Sequence, residues 1–183
     1  MDNDGMEKDY FGVTVKENPS AKFFAHTNFW GRIEISSELR AKLSDNALKT
    51  IIMHERYHQR LIKSKLGKFV AVASATVFFL TIPALIILGI ALTITKFRLY
   101  DLAIVVVFSI LVISTAVYVL MSFERSADLY SAKELGKENW IRGMRETGEV
   151  FGFFKPKRSL KLYINNLRHY GSWSARISFV EKM

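Results

Sequence analysis

The chain has 183 residues, 50% of them hydrophobic, a mean hydropathy above zero, a net charge of +9 and no cysteine. It is more apolar than a soluble domain of this size usually is, so a membrane protein is the first expectation. Without cysteine, disulfides and thiolate metal sites are excluded, and any metal must be held by His, Asp or Glu.

In chain order, FGVTV (11–15), KFFAHT (22–27) and RIEIS (32–36) are short aromatic and β-branched runs separated by KENPSA and NFWG, and read as two or three strands. SSELRAKLS (36–44) predicts a short Ser-capped helix. From Asp45 or Ser44 onward, apolar residues recur at helical spacing with no proline until Pro83, so this helix is expected to run straight into the next apolar stretch. That stretch, 69–95, has 27 residues without a charge, and 102–123 has 22 more; roughly 20 suffice to cross a bilayer, so both are predicted to span. KFRLYD (96–101) between them is long enough only for a hairpin tip. Beyond the second span a helix is expected up to Gly136, another over 137–150, and a helix-like run at LKLYINNLRHY (160–170) after Pro156; residues 171–183 carry no clear structural signal.

The expected organisation is therefore a first aqueous half (1–68), a two-helix transmembrane hairpin (69–123) and a second aqueous half (124–183) on the same side. Arg60, Lys63, Lys65 and Lys68 precede the first span and Arg125, Lys133 and Lys137 follow the second, against Lys96 and Arg98 in the tip. This bias predicts a multi-pass protein of the plasma membrane with both termini cytoplasmic. Other basic residues crowd into KPKRSLKLYINNLR (155–168), where anionic lipid headgroups are the nearer partner, and no nucleic acid is expected.

The chemistry concentrates in IIMHERYHQR (51–60). Its H-E-x-x-H spacing puts His54 and His58 on one helical face, close enough to ligate one zinc ion, with Glu55 beside the first histidine to act on water. A third ligand is needed. FERSAD, directly after the second span, offers Glu124 as that ligand and Asp128, one turn on, as acceptor for the His54 N–H. The hairpin returns the chain beside its starting point and so brings the two half-sites together at the membrane surface.

Here the sequence resembles the membrane-bound zinc metallopeptidases of the HtpX heat-shock protease and CAAX prenyl protease type. Their order of strand, short helix, H-E-x-x-H helix, transmembrane pair and E-x-x-A-D helix is similar to RIEIS, SSELRAKLS, MHERYH, the 69–123 hairpin and ERSAD, over residues 11–150. The resemblance implies an α+β, mainly helical, zincin-like metallopeptidase domain with a small sheet, interrupted by the hairpin. It implies one zinc per chain on His54, His58 and Glu124, Glu55 as general base, and Asp128 supporting the ligands. The family's C-terminal His-Pro and Arg are matched by His169, without the proline, and Arg176, with one extra residue between them. His169, Arg176 or Tyr130 would help polarise the carbonyl, and RIEIS would be the edge strand that pairs with an extended substrate. Residues 1–50 hold no counterpart of the two further spans usual before the motif in bacterial members, and the family's Asn-Ala-Phe turn reads AKFFAH.

The function expected is zinc-dependent endoproteolysis of membrane or membrane-associated proteins in quality control, with a homo-oligomer enclosing the site as a further expectation. The alternatives are a prenyl-peptide protease and a non-catalytic membrane-anchored metal-binding or regulatory module. A site inside a span is disfavoured, since Arg56, Gln59, Arg60 and Lys63 surround the motif.

Overall fold

In a computed structural model, residues 6–19, 25–65, 67, 99–154 and 172–183 are described. Strands β1 (Glu7–Tyr10) and β2 (Val13–Asn18) form an antiparallel hairpin. Its turn is Phe11–Gly12, with φ of 59° and 76°, and the Gly12 N–H is received by Asp9 Oδ1 at 2.9 Å. Two positive φ values define the turn type whose usual signature is Asn-Gly or Asp-Gly. Phe-Gly does not announce it, so β1 leaves no strand signal and the second strand starts at residue 13 rather than 11. Lys16–Asn18, expected as part of a separator, continue β2 because they pair with Glu34, Ile35 and Ser36.

The sheet order is β1-β2-β4-β3, where β3 is Ala25–Thr27 and β4 is Ile33–Ser36. β4 runs parallel to β2 and antiparallel to β3. The expectation that RIEIS is an edge strand is thus corrected. The chain folds back through Asn28–Gly31 and β3 takes up the free side of β4, becoming the edge itself.

Val13, Val15, Ile33 and Ile35 alternate onto one face of the sheet and are buried against two helices, α1 (Ser37–Lys42) and α2 (Asp45–Lys63). Ser36 caps α1 and Ser44 caps α2, each side chain accepting from the N–H three residues on. Leu39 from α1, Leu43, and Ala47, Leu48, Ile51 and Ile52 from α2 complete this core. α2 does not run straight on toward residue 69. Ser64 has extended backbone, its Oγ donates to the Leu61 carbonyl at 2.6 Å, and it accepts the Gly67 N–H at 2.9 Å. One serine closes α2 and caps the helical residues beyond it.

The remaining helices are α3 (Leu99–Leu135), α4 (Lys137–Val150) and α5 (Trp173–Glu181). They meet around Ala132, Trp140, Met144, Ile177 and Val180, with Trp140 Nε1 donating to Ser131 Oγ at 2.6 Å. α4 crosses α2 at Gly143, where a Cβ would come within 2.3 Å of Thr50 Oγ1 and 3.2 Å of the Ala47 Cα. α5 falls where the sequence carries no clear signal, although Ser172 caps it and Trp173, Ile177 and Val180 repeat at i, i+4, i+7. In so short a run, those aromatic and β-branched residues are equally consistent with a strand.

α3 has 37 residues and extends about 55 Å at 1.5 Å per residue. Over Val106–Leu135 it is long and apolar enough to cross a membrane, and Phe108, Ile110, Leu111 and Leu120 on it are more than half exposed. The expected first span (69–95), the first half of the hairpin tip (96–98) and the helix-like run 160–170 lie outside the described residues, and the rest of the tip is the start of α3.

Candidate metal centre

α2 buries the face that carries Leu48, Ile51 and Ile52 against the sheet and presents His54 and His58 toward α3. α3 answers with Glu124 and Asp128, also at i, i+4. His54 meets Asp128, and His58 meets Glu124, so the two helices run antiparallel through the site.

Donor atoms of three side chains converge. His54 Nε2 is 3.2 Å from His58 Nε2 and 3.3 Å from Glu124 Oε2, and His58 Nε2 is 3.5 Å from Glu124 Oε1. Ligands held about 2.0–2.1 Å from a common centre at tetrahedral angles would stand about 3.3–3.4 Å from one another. The separations, the last two to different oxygens of one carboxylate, lie near that edge length, so His54, His58 and Glu124 could hold a single metal ion; among the described residues they are the group that could.

Behind them is a buried brace. Asp128 is fully buried and its Oδ1 lies 2.8 Å from His54 Nδ1. Arg176 of α5, itself buried, grips the same carboxylate with both prongs of its guanidinium, Nε to Oδ2 at 2.8 Å and Nη2 to Oδ1 at 2.6 Å. Arg176 Nη2 also stands 3.4 Å from His54 Nδ1. Both groups are donors once Nδ1–H is given to Asp128, so that approach carries no hydrogen bond. The consequence is a fixed ring: Nδ1 carries the proton and Nε2 faces Glu124 and His58.

The electrostatics favour a cation here. Burial opposes charge on His54, but hydrogen bonds to Asp128 and Glu124 outweigh it and raise its pKa to about 10. Burial also works against the Asp128 carboxylate, and the Arg176 charge, followed by the His54 hydrogen bond, overrides it and holds Asp128 well below the usual carboxylate range. His58 is pushed down, first by burial and then by the neighbouring His54 charge. A metal ion and the second His54 proton, on Nε2, therefore compete for one position, and binding the ion displaces that proton while Nδ1–H stays on Asp128.

Glu55 lies on the sheet side of the motif. Thr27 Oγ1, on edge strand β3, is 2.8 Å from Glu55 Oε2 and 2.9 Å from the Glu55 carbonyl oxygen, its single proton serving one or the other. The edge strand thus touches the carboxylate beside the first ligand, a contact for which nothing in the sequence offers a signal. Arg176, expected as one possible helper in polarising the reacting carbonyl, grips Asp128. Tyr130 packs against Tyr57 and beneath the Arg60 guanidinium, its hydroxyl buried without a hydrogen-bond partner among the described residues. His169 lies outside the described residues. No family model, no curated protein and no solved structure matches the chain.

Proposed function

We propose that this protein is a membrane-bound zinc endopeptidase of the HtpX and CAAX protease type, acting on membrane proteins or their aqueous segments at the bilayer surface. The observation that carries the reading is the convergence of His54, His58 and Glu124 at tetrahedral edge lengths with Glu55 next in sequence to the first ligand. Two imidazoles and a carboxylate suit zinc among the common ions, and three protein ligands leave a position open, as catalytic rather than structural zinc sites do.

Zinc bound there would supply a Lewis acid that polarises a peptide carbonyl and acidifies water toward neutrality. Glu55 takes a proton from the attacking water and delivers it to the leaving amine. Asp128, clamped by Arg176, holds His54 in its ligating tautomer throughout. The substrate pairs in extended form with β3, the edge strand, whose Thr27 links it to Glu55. In this reading 69–95 and the apolar part of α3 form a transmembrane hairpin, the zincin-like halves lie in the cytoplasm, and copies of the chain assemble around the site in a quality-control role.

The test pairs metal content with proteolysis. Wild-type protein purified in detergent should hold one zinc per chain and cleave an unfolded test protein or itself, whereas Glu55→Gln should keep the zinc and lose cleavage by at least about 100-fold, the range of general-base loss. Equal cleavage by the two would overturn the mechanism. Zinc retained with no cleavage by either would leave a metal-binding module.

A further inference from the structure

The turn between β3 and β4 is heavily braced for a surface loop. Asn28 N–H donates to the Arg32 carbonyl at 2.9 Å, and Gly31 N–H donates to the Asn28 carbonyl at 2.9 Å. Asn28 Oδ1 accepts from both Trp30 N–H and Arg32 N–H at 3.0 Å, while Asn28 Nδ2 donates to Glu34 at 3.0 Å. Gln59 of α2 donates to the Gly31 carbonyl at 2.9 Å. Gly31 has φ of 70° and sits so close to Lys63 that a Cβ would come within 3.2 Å of its Cε. What this scaffold presents is Phe29 and Trp30, each 77% exposed, their rings edge to face with centroids 5.6 Å apart. A rigid turn holding two large aromatic rings in water has a partner.

Its location says which. His54 stands opposite Asp128 and His58 opposite Glu124, so each step toward the end of α2 is a step back along α3 toward its apolar part. Gln59, which holds the turn, and Lys63, which lies against it, are therefore level with the last turns of the apolar stretch that ends at residue 123. The other apolar stretch begins at residue 69, only six positions after Lys63. Exposed cations flank the turn: Arg32 follows Gly31 in the chain and Lys63 lies against Gly31. Aromatic rings flanked by Lys and Arg at the end of an apolar helix are the chemistry of the headgroup boundary, where a ring has one side in hydrocarbon and the cations meet lipid phosphate.

We propose that the Phe29–Trp30 turn is an interfacial anchor that inserts into the headgroup boundary of an anionic bilayer beside the end of α3. It fixes edge strand β3, and Thr27 with it, at a set depth against the membrane, so that a chain emerging from the lipid meets β3 before it meets Glu55. This inference rests on the reading of α3 as membrane-spanning.

The chain has no cysteine, so single cysteines can be placed freely. Phe29→Cys, Trp30→Cys, Ile110→Cys and Lys42→Cys would each carry an environment-sensitive fluorophore in the full chain, reconstituted into phosphatidylcholine–phosphatidylglycerol vesicles. Lipids bearing a nitroxide near the headgroup would serve as one quencher and aqueous iodide as the other. Probes at 29 and 30 should lose most of their emission to the shallow lipid nitroxide and little to iodide. The probe at 110 should be shielded from iodide and quenched by a nitroxide deep in the acyl chain, and the probe at 42 should respond to iodide alone. If 110 behaves as stated while 29 and 30 follow 42, the anchor is overturned and the spanning helix stands. Shielding of 29 and 30 from both quenchers would assign the turn to a protein contact, such as a second copy, and also overturn it. Iodide quenching at 110 would remove the membrane reading and the anchor together.

Discussion

The two ends of α3 invert the usual rule for helices in opposite ways. From Val106 to Leu120, the apolar side chains Phe108, Ile110 and Leu111 are more than half exposed. From Glu124 to Leu135, the polar side chains of Asp128 and Ser131 are completely buried. One continuous helix thus carries apolar groups outward and charged groups inward. In water each half would be costly, the first through exposed hydrocarbon and the second through desolvated charge. The second half resolves its cost within the protein, by the two-pronged Arg176 contact, the His54 hydrogen bond and the Ser131–Trp140 pair. The first half has no such partners among the described residues, and in the proposed reading it lies in lipid.

The largest effect should come from breaking the buried half. Arg176→Met removes one partner of a desolvated ion pair and leaves the Asp128 charge without its main support, which costs about 3–5 kcal/mol. Chemical unfolding in detergent, followed through the fluorescence of Trp140 and Trp173, would measure it. Because the same clamp orients His54, zinc affinity should fall with it, by about 10–100-fold. A loss below about 1 kcal/mol would mean that Asp128 is reached by water and that the contrast between the halves is false.

The exposed half is tested next. Leu111→Arg puts a charge in the middle of the apolar stretch, 59% exposed in the absence of any bilayer. If that surface faces lipid, the charge costs about 2.5–3.5 kcal/mol of insertion, on the order of 100-fold in the inserted fraction. Membrane fractionation after expression would report it. Wild-type levels of the variant in the membrane fraction would show that Leu111 faces water or protein.

The same contrast explains what the sequence could disclose. His54, His58, Glu124 and Asp128 were legible because i, i+4 spacing puts each pair on one helical face, and the apolar stretches between them imply a return to the same place. Arg176 on Asp128 and Thr27 on Glu55 join positions 48 and 28 apart on different elements, and such contacts leave no periodic trace. The sheet was half legible for a related reason. β2 and β4 alternate apolar and polar residues, whereas β1 reads Glu-Lys-Asp-Tyr and is a strand only because its backbone pairs with β2. Which strand forms the edge depends on that pairing, so composition alone does not decide whether RIEIS lies inside the sheet or at its border.

The smallest effect belongs to an exposed ion pair, and it calibrates the buried one. On β1 and β2, Lys8 Nζ and Tyr10 Oη each donate to Glu17, both at 2.5 Å. The Lys8 hydrogen bond, then that of Tyr10, lowers the Glu17 pKa against a weaker opposing effect of burial. A carboxylate with a depressed folded pKa adds stability that is complete above its unfolded value, about 4.3, and is lost as pH falls through the folded one. Glu17→Gln should therefore lower stability slightly near pH 6 and converge with wild type as both are acidified below that window. Unfolding curves at a series of pH values would show the convergence, and added salt should shrink the difference because the Lys8 side chain is 44% exposed. Arg176→Met should not share the salt dependence, since both Asp128 and Arg176 are buried. A salt-sensitive Arg176 effect would place the lower half of α3 in the same class as the sheet edge.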